Sequence, residues 1–468
     1  MNPARYTTEV PYRSSLCLMV SMVRDGVVSP SELVDAHLRQ IERRNPQLNA
    51  FTEVFADEAR EDARRREQQA VRGEPLGLLH GVPFTVKDSF DVSGHPTLAG
   101  SRFRTGHRAA HDAAAVALLR AQGAIPLGKT NTPELLSSYE TDNFVTGRTN
   151  NPWDLERTPG GSSGGEAAAI AGLCSPAGIG SDGGASIRLP AHFCGIAGLK
   201  PTPGRIPASG HFPSLGYPLG LLTCAGPMAR TAEDLRLWFS VMAGYDAEDP
   251  FSVPVPLREP AAAGVRIGIW DGFYSVPVDP AIRAAVRAAA ALLSGLGFAV
   301  DEFRPRGLER APNAWAVLFS QWPAAAKRKL LEGREAEAHW TATETLPAED
   351  PTPAEVLNQL AARDRMRAAL IRQMEETSVV VMPACGITAF RHRERRWDVE
   401  GKNIGMFQIL MPAVVANVLG LPAVVVPMAH SPEGLPIGIQ LMGRPFADEL
   451  LLDLAVRLEE ARGPWIGP

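Results

Sequence analysis

Between positions 158 and 188 the chain reads TPGGSSGGEAAAIAGLCSPAGIGSDGGASIR. Glycines set among serines have two physical readings. One is a flexible linker, which needs no apolar positions. The other is a buried backbone that passes close to a ligand with its amides free to donate. Residues 166–173 are helix-forming and apolar, and Ile179, Ile187 and Leu189 would serve nothing in a linker, so the second reading is preferred. Within the stretch, GGSSG at 160–164 satisfies the Gly-x-Ser-x-Gly pattern and points to serine chemistry. The residues before it, NPWDLERTP, are polar and carry two prolines, so they cannot be the buried strand that an α/β-hydrolase elbow requires. A serine hydroxyl is a poor nucleophile near neutral pH and needs an adjacent base. No Ser/His/Asp grouping is legible among the ten histidines. A lysine can serve if it is neutral, because burial lowers its ordinary pKa of about 10.4 by several units.

Two other motif matches fail on context. GAIPLGKT at 123–130 satisfies the phosphate-loop pattern, but the expected helix comes before its first glycine and its proline lies in an expected strand. A phosphate loop has the opposite order. GIGSDG at 178–183 satisfies Gly-x-Gly-x-x-Gly, yet the next acidic residue after Asp182 is Glu233, far beyond the position that would hold a ribose.

The elements that must position such a site alternate between short apolar runs and helices. Ser29-Pro30-Ser31-Glu32 opens a helix with a capping box, and apolar residues repeat at helical spacing as far as Asn45-Pro46, where it is expected to stop. His37 on that stripe reads as a core histidine. A mostly charged helix at 56–71 reads as a solvated face. Strands are expected at 82–87 and 124–127 around a helix at 113–122, and a strand–helix–strand unit at 265–270, 280–296 and 298–303. The charged, Trp-containing segment at about 305–355 reads as a helical cap or insertion. Buried strands at 379–382 and 423–427 and a closing helix at 448–460 complete the chain, while RHRERR at 391–396 reads as a solvated loop. The simplest organisation is one large α/β unit spanning 1–468.

Composition narrows the class. The 468 residues are 45% hydrophobic and 21% charged with a net charge of −5, which excludes general disorder and gives no electrostatic reason for a nucleic acid or membrane partner. Cys17, Cys174, Cys194, Cys224 and Cys385 are odd in number, widely spaced and without a Cys-x-x-Cys pair. They read as free thiols of a cytoplasmic protein rather than a disulfide frame or zinc site. The N-terminal segment interrupts its apolar residues too soon for a signal peptide, and the longest apolar candidate, 413–428, is broken by Asn417, Gly420 and Pro422.

The glycine-rich stretch resembles the signature of the amidase signature family of serine hydrolases, and the resemblance runs along most of the chain. GVPFTVKD (81–88), GAIPLGKTNTPE, PGGSSGGE, GSDGGASIRLPAHFCGIAGLKPTPG, GPMARTAEDL (226–235) and NVLGLPAVVVP (417–427) follow in the family's order. The resemblance implies a large mixed central β-sheet flanked by helices on both faces, with the signature core at about 75–235. It implies a Ser–Ser–Lys triad: Ser186 as nucleophile, Ser162 as the bridging serine on a cis peptide, and Lys87 as the base. The backbone amides of Gly183, Gly184, Ala185 and Ser186 are the natural oxyanion donors. Ala185 departs from the family, where glycine usually precedes the nucleophile, so the local backbone must either suit alanine or be reshaped. Arg188 is expected to brace the loop, and Tyr139, Asn143 and Phe144 lie where the family builds part of the acyl pocket.

The expected activity is hydrolysis of C–N bonds through an acyl-enzyme, with no cofactor and no metal. No basic or acidic pocket is legible, so the expected substrates are small, neutral, largely apolar amides, including aryl amides, and carbamates. The alternatives are the glutaminase subunit of a tRNA-dependent amidotransferase and an esterase-like serine hydrolase. A monomer or homodimer is expected.

Overall fold

The computed structural model describes residues 11–468, so the part of the signal-peptide reading that falls on residues 1–10 lies outside the described residues. The strands are β1 (Phe51–Val54), β2 (Pro83–Lys87), β3 (Ile125–Thr130), β4 (Ala177–Asp182), β5 (Ala197–Lys200) and β6 (Cys224–Ala229). They continue as β7 (Arg266–Ile269), β8 (Ala299–Glu302), β9 (Val379–Pro383), β10 (Arg396–Val399), β11 (Lys402–Gly405), β12 (Ala423–His430) and β13 (Pro436–Gly443). Eleven of them form one mixed sheet in the order β1-β3-β2-β4-β6-β5-β12-β13-β9-β7-β8, with β10 and β11 a separate hairpin. Helices cover both faces, as expected for a sheet whose inner strands read as continuous apolar runs.

The strands that matter for the site run parallel. β2 lies between β3 and β4, with Lys87 opposite Thr130 and Val86 opposite Ile179. The C-terminal ends of β2 and β4 therefore deliver Lys87 and Asp182 to one edge of the sheet, where open α/β sheets place their ligands. β4 was not expected from the sequence, because its glycines carry little strand propensity. Tertiary packing requires them: a Cβ on Gly178 would lie 1.8 Å from Glu166 Oε1.

The helix expected to stop at Pro46 runs Pro30–Leu48 and contains that proline. Its last turn is held by other means. Asn45 Oδ1 accepts from the amides of Ala50 (2.7 Å) and Phe51 (3.2 Å), and Asn49 ends the helix at φ 49°. The capping box of Ser29 and Glu32 and the solvated helix Ala56–Val71 form as read, and His37 is buried with Nδ1 on the Leu33 carbonyl. β3 reaches Thr130 and β12 reaches His430, beyond the expected runs, because their polar ends are still paired in the sheet. The phosphate-loop match is β3 itself, with Lys129 paired to Asp88 at 2.8 Å.

The parallel strands β7 and β8 flank helix Pro280–Gly295 as the expected unit. The cap is helical: Ala311–Trp315 continues through a wide turn at Ala316–Gln321, then Ala324–Leu331 and Trp340–Thr343. RHRERR is only partly solvated. Arg395 pairs with Glu140 and with Glu344, tying the cap to the start of β10, and none of the six lines the cavity described below. All five cysteines are free, and no helix among the described residues is long and apolar enough to cross a membrane.

Candidate active site

Lys87 ends β2 with its side chain fully buried. Its Nζ lies 2.7 Å from Ser162 Oγ, 3.0 Å from Ser181 Oγ and 3.4 Å from the Ser181 carbonyl oxygen, all uncharged partners. Burial pushes the amine down to about 7, against the opposing influence of the Asp182 and Glu166 charges. Glu166, on the helix Gly164–Ala171, is itself pushed up to about 7 by burial although Thr85 and Thr130 donate to it. Asp88 is turned away from Lys87 and pairs with Lys129, as the alternation of a strand requires.

Ser162 follows a cis Gly161–Ser162 peptide bond immediately before that helix. Ser186 sits on the loop that leaves β4, and its carbonyl accepts from the Ser163 amide at 3.1 Å. The two segments are thus joined backbone to backbone, and Ser162 and Ser186 open on the same cavity. Ser186 is 7% exposed, Ser162 2%.

The nucleophile loop is braced from below. Burial alone would raise the Asp182 carboxyl, but the Arg188 guanidinium beside it holds it well below the usual carboxylate range. Asp182 accepts from Arg188 Nε (3.0 Å), Asn417 Nδ2 (2.9 Å) and the amides of Ala185 (2.8 Å) and Ile187 (3.1 Å). Arg188 also reaches the Ala413 carbonyl and Gln440, so it braces the loop as expected. Splitting such a buried pair by removing one partner costs about 3–5 kcal/mol.

This bracing corrects the expected oxyanion set. The Ala185 amide is spent on Asp182, whereas the amides of Gly183, Gly184 and Ser186 have no intramolecular partner among the described residues. Ala185 adopts φ 74°, a left-handed conformation that costs an L-residue about 1–2 kcal/mol. Its methyl group is fully buried in a cluster with Leu189 and Phe193, which returns about 0.8 kcal/mol. The backbone therefore keeps the glycine-like conformation, and packing offsets much of the strain. Gly183 and Gly184 have no such room: a Cβ would lie 2.1 Å from Phe319 and 2.5 Å from Trp315 respectively. Trp315 Nε1 also donates to the Gly183 carbonyl at 2.9 Å, so the cap pins the loop directly.

The cavity above the serines has a volume of about 730 Å³. Trp315 and Phe319, stacked at 5.3 Å, line it with Tyr139, Leu135, Phe212 and Leu215. Of the expected pocket residues only Tyr139 takes part, its hydroxyl lying against Gly184. Asn143 is buried elsewhere, donating to Asn131 Oδ1 (2.7 Å) and the Thr132 carbonyl (2.6 Å) while accepting from the amides of Val145 and Thr146. Phe144 is 48% exposed and meets His339 edge to face. The cavity is also not free of charge: its wall includes the cations Arg104 and Lys327 and no acidic side chain.

Ser181 and His211 were missed in the sequence. His211 Nε2 lies 2.9 Å from Ser181 Oγ, which in turn meets Lys87. A lone histidine between two glycine- and proline-rich segments carries no spacing signal that would have found it. No group of three or more His, Cys, Asp or Glu side chains among the described residues is arranged to hold a metal ion.

The chain matches the amidase family model over residues 32–452. It is 34% identical over 450 residues to the indoleacetamide hydrolase of Bradyrhizobium diazoefficiens, covering 94% of this chain and 85% of that protein. It is 33% identical over 476 residues to a glutamyl-tRNA(Gln) amidotransferase subunit of Anaeromyxobacter sp., covering 94% of each. The crystal structure of a bacterial aryl acylamidase of the amidase signature enzymes superposes with a TM-score of 0.85 at 27% identity, covering 96% of each chain. With its mixed sheet, its serine–lysine edge and likeness along nearly its whole length, the chain belongs to the amidase (amidase signature) family of C–N hydrolases.

Proposed function

We propose that the protein hydrolyses amides and carbamates with a largely apolar, aromatic-sized body, through an acyl-enzyme on Ser186. The observation that carries this reading is the buried Lys87 amine at 2.7 Å from Ser162 Oγ, behind a largely apolar cavity onto which Ser162 and Ser186 both open. Neutral Lys87 takes the proton of Ser162, and Ser162 takes that of Ser186 as its Oγ attacks the carbonyl carbon. The amides of Gly183, Gly184 and Ser186 receive the developing oxyanion, each such donor being worth about 3 kcal/mol. The relay then runs backwards to protonate the leaving nitrogen, and water releases the acid by the same route. The names of the relatives fit this substrate range, an indole-bearing amide and an aryl amide among them.

The similarity to an amidotransferase subunit supports a second reading, a glutaminase. The cavity wall disfavours it, since it holds no acidic side chain and would leave glutamine's α-ammonium without a partner. A hydrolysis panel of anilides, aliphatic amides, p-nitrophenyl esters, aryl carbamates and glutamine separates the two. Anilides and aryl carbamates should exceed glutamine in kcat/KM by about tenfold or more. A profile led by glutamine would overturn the aryl reading and select the glutaminase.

A further inference from the structure

We infer that His211, acting through Ser181, is a positioning residue that aims the Lys87 lone pair at Ser162. This rests on the Ser186–Ser162–Lys87 reading and adds a group to it. His211 Nδ1 lies 2.8 Å from the Pro213 carbonyl oxygen, which can only accept, so Nδ1 carries the hydrogen. Burial pushes the imidazole down to about 3, so the ring is neutral and Nε2 is an acceptor. Ser181, at 2.9 Å, must therefore give its hydroxyl hydrogen to Nε2. Its oxygen can then only accept from Lys87 at 3.0 Å, as can its carbonyl at 3.4 Å. A neutral amine has two hydrogens and one lone pair. Two of its three partners can only accept, so the lone pair falls to the third, Ser162, whose hydroxyl is free to donate. Without the histidine, Ser181 can turn its own hydrogen onto Lys87 and compete with Ser162.

The test is a set of variants assayed on one anilide. His211→Leu should lower kcat about tenfold with KM nearly unchanged, the loss expected for one misdirected hydrogen bond. His211→Gln, which restores an acceptor at the Nε2 position, should recover most of that loss. In a Ser181→Ala background, where no hydroxyl is left to misdirect, His211→Leu should cost nothing further. A glutamine variant as slow as the leucine one, or an equal loss in the Ser181→Ala background, would overturn the assignment. Where His211→Leu does not fold by circular dichroism, His211→Phe keeps the ring packed on Phe90 and serves instead. Failure of the triad reading is distinct, since it would show as full activity in Ser186→Ala.

At the cap end of the cavity a different observation narrows the substrate. We propose that Lys327 receives an anionic group, a carboxylate above all, at the far end of the substrate's apolar body. Lys327 lines the cavity from helix Ala324–Leu331, and its Nζ meets only the hydroxyls of Ser137 (3.2 Å) and Thr345 (3.5 Å) among the described residues. Its wall holds no acidic side chain, and Arg104 adds a second positive charge. Burial and the neighbouring Arg328 push the ammonium down to about 8, the mark of a cation without a counter-charge. Ser137 and Tyr139 lie on one segment, and the Tyr139 hydroxyl lies against the nucleophile loop at Gly184, so Lys327 and the serines face the same cavity. An apolar body seated over the serines can therefore extend along this wall and present an anionic group to Lys327.

Binding to the Ser186→Ala protein, measured by calorimetry, tests this apart from turnover. The probes are two matched pairs: 4-acetamidobenzoate against its neutral isostere 4-nitroacetanilide, and N-phenylsuccinamate against N-phenylbutanamide. In at least one pair the carboxylate should bind about tenfold more tightly, and Lys327→Met should erase the difference. Equal binding within both pairs, or a preference that survives Lys327→Met, would overturn it. The proposed function itself is read separately, from turnover of 4-nitroacetanilide by the unmodified enzyme.

Discussion

Ser186→Ala should reduce amide turnover by about five or six orders of magnitude, to a residue sustained by binding and by the oxyanion donors alone. Catalytic units built on a serine lose close to their whole chemical advantage when the nucleophile goes, on the order of 10⁶ in kcat. The substitution removes one oxygen from a side chain that is 7% exposed, and the bracing of its loop runs through Asp182, Arg188 and Asn417 rather than through Ser186 Oγ. Loss of activity should therefore come with an unchanged unfolding midpoint. Labelling makes the test chemical. A fluorophosphonate should add one phosphonyl group to the unmodified protein, with the adduct mapping to Ser186, and none to Ser186→Ala. A labelled Ser186→Ala protein that still turns over anilides would move the nucleophile elsewhere, with Ser162 the next hydroxyl to examine.

What the sequence carried, and what it withheld, divides along a physical line. Lys87, Ser162 and Ser186 were singled out through the family resemblance, which rests on segments of unusual local chemistry: an apolar strand ending in lysine, and serines among glycines. Tyr139 was reached but Asn143 and Phe144 were misplaced. Nearness along the chain does not fix direction, and the segment turns through left-handed Leu135 and Leu136 just before it. The bracing of Asp182 by Asn417 spans 235 positions and the docking of Trp315 on Gly183 spans 132. Neither has a periodic signal. The same holds for His211, whose importance lies in which of its nitrogens holds the hydrogen. Strand β4 was hidden for the opposite reason: its glycines argue against a strand locally, and only close packing from Glu166 explains them. Pro46 shows local preference overruled, since Asn45 and Asn49 supply hydrogen bonds that let the helix finish beyond it.

Lys87→Met should lower kcat/KM by about 10³-fold or more and should also abolish the acid limb of the pH profile. The sign follows from the amine's environment. Burial places Lys87 at about 7, and only its neutral form has a lone pair to accept the Ser162 proton. In the unmodified enzyme kcat/KM should thus fall about tenfold per pH unit below 7 and level off above it, where the amine is already neutral. An unburied lysine, near 10.4, would leave the enzyme still rising at pH 9. Methionine keeps most of the length of the side chain without a charge to bury, so the variant should fold, and its residual rate should be low at every pH rather than at acid pH alone. Glu166 is also pushed up to about 7 and titrates over the same limb. The variant separates them: if Glu166 were responsible, the residual activity of Lys87→Met would still fall below pH 7. A Lys87→Met enzyme as fast as the unmodified one above pH 9 would take the lysine out of the reaction, and with it the reason for a buried amine 2.7 Å from Ser162.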